Sequence, residues 1–158
     1  MLLKLFQTKN DMAPMSLRVL LGLLILPHCM QKLFGWFDGD GYNVTMGFFT
    51  GNMGFPAMLA SLCMMAEPFA CLGLITGFMT RIAAGYFAVQ MVIDISMIHI
   101  RYGFFMNWSG NKGGEGIEYD LLVIVITIAL MIRGGGKWSV DSAISKMTES
   151  LMDVVHST

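Results

Sequence analysis

The stretch from Pro56 to Ile100, PAMLASLCMMAEPFACLGLITGFMTRIAAGYFAVQMVIDISMIHI, decides the fold. It holds two apolar blocks, Pro56 to Met79 and Ile82 to Ile100, joined only by Thr80 and Arg81. A bilayer core about 30 Å thick takes roughly 20 apolar residues of helix, each rising about 1.5 Å. Each block approaches that length, and so short a joint forces the pair into an antiparallel hairpin. The apolar residues come as continuous runs instead of the alternating or helical stripes of a water-soluble domain.

Two further blocks flank the hairpin: Met15 to Phe34 before it and Ile117 to Ile132 after it. The last is short and is expected to stand nearly upright or be covered by its neighbours. The expected fold class is all-α, a polytopic membrane four-helix bundle with spans at about 15–34, 56–79, 82–100 and 117–132. Trp36 to Phe55 is too apolar for a solvated loop, and Val44 to Phe49 is expected to lie in the membrane interface. Tyr102 to Gly116 reads as a loop from its glycines and asparagines. The Gly134-Gly135-Gly136 run stops the last span. Beyond it Val140, Ile144, Met147, Leu151 and Val154 share one face, with Asp141, Lys146, Glu149 and Asp153 elsewhere, as in an amphipathic interfacial helix. The chain is thus expected to form a single transmembrane domain over 1–158, with 134–158 as a cytoplasmic or interfacial tail.

Composition agrees. With 158 residues there is room for one domain, 55% of them are apolar and 13% charged, which is a membrane composition. A net charge of −1 supplies no basic stripe for a phosphate backbone, so nucleic-acid binding is set aside. Cys29, Cys63 and Cys71 all lie in apolar blocks, where a thiol behaves as a small hydrophobe. They build no visible disulfide framework, CxxC pair or covalent haem site. Met1 to Asn10 shows no cleavable signal pattern, so the first span is expected to act as its own targeting signal. Of the ten lysines and arginines, Lys4, Lys9, Arg18, Arg81, Arg133, Lys137 and Lys146 fall on one side. Lys32, Arg101 and Lys112 fall on the other, which favours both termini inside.

Ionisable residues at membrane depth cost roughly 2.5–3.5 kcal/mol each on insertion scales, which makes them the candidates for function. His28, Lys32, Glu67, Asp94 and His99 qualify, and Glu118 with Tyr119 opens the fourth span. Counted along their helices, all fall between the midplane and the outer surface. His28 and Lys32 share one helix face, as do Cys63, Glu67 and Cys71 on the next. Glu67 is expected either to hold a proton or to pair with Lys32 or His28. The bland reading has Lys32 reaching the interface, His28 bonding a carbonyl, and His99 and Glu118 merely interfacial. Asp94 shares a face with Gln90 and Arg101, and a structural contact with one of them is expected. His28, His99 and Glu67 carry no metal-ligand spacing, so no metal site is assigned. Pro27 and Pro68 are expected to make their helices locally irregular beside these polar groups.

The ordered motifs resemble the DoxX family of small bacterial membrane proteins. They run Arg18-x-x-x-Gly22, then His28-x-x-Gln31-Lys32-Leu33-Phe34-Gly35-Trp36-Phe37, Gly47-Phe48-Phe49 and Gly54-x-Pro56. Glu67-x-Phe69 and Gly77-x-x-Thr80-Arg81 follow, then His99 before Gly103-Phe104-Phe105, Glu118-Tyr119, and Trp138-Ser139-Val140-Asp141. The resemblance covers about Leu17 to Ile144. Cys29, Pro68 and Asp94 depart from the family pattern, so Asp94 inherits no family role.

The resemblance implies a bacterial inner-membrane protein of four helices, associated with redox complexes such as a thiosulfate:quinone oxidoreductase. The first expectation is a pocket in which Lys32 and His28 hold the oxygens of a quinone headgroup or small oxidisable molecule and Glu67 moves a proton. His99, Glu118 and Tyr119 would complete the binding set. The chain carries no covalent cofactor motif, so electrons would come from a partner subunit or the substrate. The alternative is a non-catalytic anchor or assembly subunit for a partner enzyme. A transporter is disfavoured, because four spans without inverted repeats make alternating access difficult within one chain.

Overall fold

The computed structural model describes residues 11–157, with side chains described as far as Met152. The expectations placed on Met1 to Asn10, including Lys4 and Lys9, and on the side chains of Asp153 and Val154 lie outside the described residues. Helix α1, Met12–Phe34, begins where the Asp11 carboxylate accepts the Ala13 N–H at 3.1 Å. It continues through Pro27 and stops at Gly35, a left-handed cap. Helix α2, Gly41–Gly47, runs into a wider π turn, Phe48–Asn52. Helix α3 is Ala57–Thr76 and continues through Pro68. Helix α4, Thr80–Met97, is followed by a 3₁₀ turn at His99–Tyr102. Helices α5, Glu118–Arg133, and α6, Val140–Ser157, complete the described chain.

Helix α1 packs on α3, α3 on α4, α4 on α5, and α5 returns to α1. The residues between them are apolar and come from each of these helices: Leu21 and Ile25, Leu74, Phe87 and Met91, and Val123 and Leu130. Gly22 sets the closeness of α1 and α3, since a Cβ there would lie 3.0 Å from the Cys71 carbonyl oxygen and 2.8 Å from an Ile75 carbon. Helices α1 and α3 are long and apolar enough to cross a membrane. Helix α5 has 16 residues, which at about 1.5 Å each is about 24 Å.

The hairpin joint falls earlier than the apolar blocks suggest. The chain turns at Gly77 to Met79, and Thr80 and Arg81 are already in α4. Gly77 takes φ +71° and Met79 φ +51°, left-handed values that end α3. Helix α4 starts there because the Asp141 carboxylate accepts the Met79 and Thr80 N–H groups at 2.8 and 2.9 Å. A residue in the tail therefore caps a helix in the middle of the chain.

Arg18 makes the companion contact. Its guanidinium is buried and donates to the Leu74 and Ile75 carbonyls at the end of α3, at 2.9 and 2.5 Å. It also donates to Gly135 at 2.7 Å, Trp138 at 2.9 Å and Lys137 at 3.4 Å. The carbonyls that α3 leaves open at its end thus find a cation, and the Gly134 to Trp138 turn is tied to the same point. The onset of the tail is pinned to the helices rather than merely lying on a surface.

Candidate functional site

Two turns of α1 present His28 and Lys32 toward α3, α4 and α5, where a cavity of about 440 Å³ opens. Glu67 comes from the middle of α3, Gln90 and Asp94 from one face of α4, His99 from the turn after it, and Tyr119 and Asp120 from the start of α5. All of these line the cavity. Glu118 does not. Its carboxylate accepts the Met106 N–H at 3.2 Å and holds the loop before α5 instead.

Lys32 and Glu67 form a forked ion pair, with the ammonium nitrogen 2.8 and 3.0 Å from the two carboxylate oxygens. The Glu67 side chain is 4% exposed and that of Lys32 29%, so the acid is the deeper partner. Gln90 donates its amide to Glu67 Oε1 at 3.1 Å, giving the carboxylate a third donor. A buried charge is tolerated when it is paired and its remaining lone pairs are met, and Glu67 satisfies both conditions. Of the two outcomes expected for Glu67, the structure has the ion pair. A second pair lies a short way along the cavity, where His99 Nδ1 is 2.5 Å from Asp120 Oδ2. His28 is exposed to the cavity and has no polar partner among the described residues.

Asp94 departs from expectation. It contacts neither Gln90 nor Arg101, because the Gln90 amide is taken by Glu67 and Arg101 donates to the Met97 carbonyl at 2.8 Å. Helix α4 ends at Met97, which breaks the helical spacing needed to bring Arg101 back to Asp94. The Asp94 carboxylate has no hydrogen-bond partner among the described residues and faces the cavity.

A second cavity of about 380 Å³ lies on the other side of Glu67, Gln90 and Asp94, which line both spaces together with Phe49. Its remaining walls include Met53, Phe55, Cys63, Met64, Ile82, Tyr86, Val89 and Ile93, and are mostly apolar. The Tyr86 hydroxyl is not available to it, since it donates to the Cys63 carbonyl at 2.8 Å. The pair of spaces thus has a polar chamber and an oily one meeting at three polar side chains.

Asp120 and Gln90 were missed as site residues. Asp120 carried a signal, since Asp120, Val123, Thr127 and Leu130 follow helical spacing and are all buried, whereas Glu118 and Tyr119 lie off that line. The Gln90 role depends on a partner from α3 and has no signature of its own. Cys29 and Cys71 were read as separate hydrophobes, yet their sulfurs lie 3.5 Å apart. Among the described residues no group of three or more His, Cys, Asp or Glu is arranged to hold a metal ion.

Comparison with known proteins gives one finding. The family model described as DoxX matches residues 13–100, which hold α1 to α4 with His28, Lys32, Glu67, Gln90 and Asp94. No curated protein and no solved structure matches the chain.

Proposed function

The chain belongs to the DoxX family, a family of membrane proteins, and from that premise we propose a redox-linked membrane subunit whose polar chamber binds a quinone headgroup. The carrying observation is the pairing of a polar chamber, with Lys32 and His28 as donors, and an adjoining oily chamber across Glu67, Gln90 and Asp94. An isoprenoid quinone has the same division, a polar ring and an apolar tail. When bound, a quinone exchanges two electrons and two protons. The protein's part is to orient and to manage protons. The third ammonium proton of Lys32 and the His28 imidazole would hold the ring oxygens, and Glu67, bound to Lys32, would pass a proton at its carboxylate. Electrons come from a partner subunit or from a small oxidisable substrate.

The four-span reading belongs to this proposal. Leu20 and Leu24 on α1, Leu62 and Phe69 on α3, Val92 on α4, and Leu122, Val125 and Ile132 on α5 all point outward and are exposed. Water would not tolerate apolar faces on every side, whereas lipid requires them. We place the protein in the bacterial inner membrane with both ends cytoplasmic, and read residues 1–158 as one transmembrane domain with 134–158 as its tail.

The test uses protein held in native lipid discs and a photoreactive short-tailed quinone. Crosslinks to α3 and α4 near Glu67 and Gln90 are expected, and Glu67→Gln should depress quinone-dependent oxidation in the host. Absence of quinone binding together with unchanged oxidation in Glu67→Gln overturns the reading.

A second reading, an anchor or assembly subunit without chemistry of its own, is favoured by α6. Met147, Leu151 and Met152 on it are exposed, while its first turn is fixed through Asp141. Removal of residues 142–158 should then abolish capture of a partner enzyme. A partner set independent of that segment, with the phenotype following Glu67, sinks this reading.

A further inference from the structure

At the meeting of the two chambers the Gln90 donor is spent and two acceptors are not, while the third Lys32 proton and the His28 imidazole still serve a ligand's oxygens. Lys32 gives two of its protons to Glu67, and the Gln90 amide nitrogen gives one to the same carboxylate. Gln90 Oε1 remains, buried and with no donor among the described residues. The Asp94 carboxylate, four residues along the same helix face, also has no donor among them and lines both chambers. Reversing the Gln90 amide does not remove the imbalance. It would set an oxygen against the Glu67 carboxylate, which accepts only, and forfeit the bond seen there.

Resting on the quinone-site reading above, we propose that this junction is built for the reduced form of the ligand, a hydroquinone, which it holds in preference to the quinone. A quinone ring presents carbonyl oxygens, which accept and never donate. The hydroquinone presents hydroxyls, and one beside Asp94 gives its single proton to that carboxylate while its oxygen still accepts from Lys32 or His28. A carboxylate in a largely apolar cavity without a donor is costly, so the ligand form that supplies one is selected. Asp94 is then a specificity-determining residue, and Gln90 holds Glu67 through its nitrogen.

The experiment measures binding of three probes with one short alkyl tail to the full chain in lipid discs without oxygen: the hydroquinone, the quinone and the di-O-methylated hydroquinone. The hydroquinone is expected to bind at least tenfold tighter than either of the others. Asp94→Asn, which puts an amide donor where only acceptors stood, should cut the ratio of hydroquinone to quinone affinity at least threefold. The ratio is read within each variant, so partial loss of folded protein does not distort it. Equal affinities for hydroquinone and quinone, tighter binding of the quinone, or a di-O-methylated probe that binds as well as the hydroquinone overturns this inference and leaves the quinone site standing. Binding of none of the three removes the site itself.

Discussion

The sulfur of Cys29 lies 3.5 Å from that of Cys71 across the contact of α1 and α3, and both residues are fully buried. Cys63, eight residues before Cys71 on α3, instead lines the apolar chamber. The three thiols should therefore report separately. With a membrane-permeant maleimide, Cys63 is expected to be modified in the folded protein, and Cys29 and Cys71 only after denaturation. A bound quinone tail should slow Cys63 modification severalfold. Peptide mass spectrometry reads all three, and equal labelling of Cys29 and Cys63 in the folded state contradicts the packing.

Replacing Arg18 should be the most damaging single change where the end of α3 meets the turn after α5. Arg18→Leu leaves the five carbonyls of Leu74, Ile75, Gly135, Lys137 and Trp138 without their shared donor. Loss of a buried, charge-assisted network of this kind costs about 3–5 kcal/mol. Arg18→Lys should recover little, because a single ammonium lacks the planar fork that reaches both groups of carbonyls. Unfolding in mixed detergent micelles measures the loss.

The Lys32 and Glu67 pair makes a prediction of sign. Lys32→Met alone strands a buried carboxylate and should cost about 3–5 kcal/mol, more than the double change Lys32→Met with Glu67→Met. The same titration of unfolding on the four proteins of a double-mutant cycle decides it. Additive effects would mean the two side chains do not interact.

Asp141 should behave as a helix cap for α4 although it lies 61 residues beyond Thr80. Asp141→Ala should cost about 1–2 kcal/mol, the usual loss on removing a capping oxygen. Asp141→Asn keeps one acceptor for the Met79 and Thr80 N–H groups and should cost less. Amide exchange at Met79 and Thr80 should speed up in Asp141→Ala while the middle of α3 stays protected.

The family and the helices were legible in advance because ionisable residues stand out in apolar blocks, and because the motifs around His28, Lys32 and Glu67 come in a fixed order. The ends of helices were less legible. The hairpin joint moved to Gly77 to Met79 because the capping group that starts α4 is Asp141, which no local pattern connects with Thr80. Asp94 was given the wrong partners for a similar reason. Face arithmetic within one helix takes no account of Glu67, which claims Gln90 from another helix, nor of the change of backbone after Met97 that turns Arg101 away. Arg18 was counted as a charge that sets orientation. Its reach to carbonyls 56 and 117 residues onward is a property of the folded chain alone.

That reach orders events during synthesis. The guanidinium of Arg18 is made with the first helix, but the Gly135 carbonyl it grips is made 117 residues later. Until then the guanidinium near the start of α1 has part of its coordination unmade, so the turn after α5 is what completes the fold at that end.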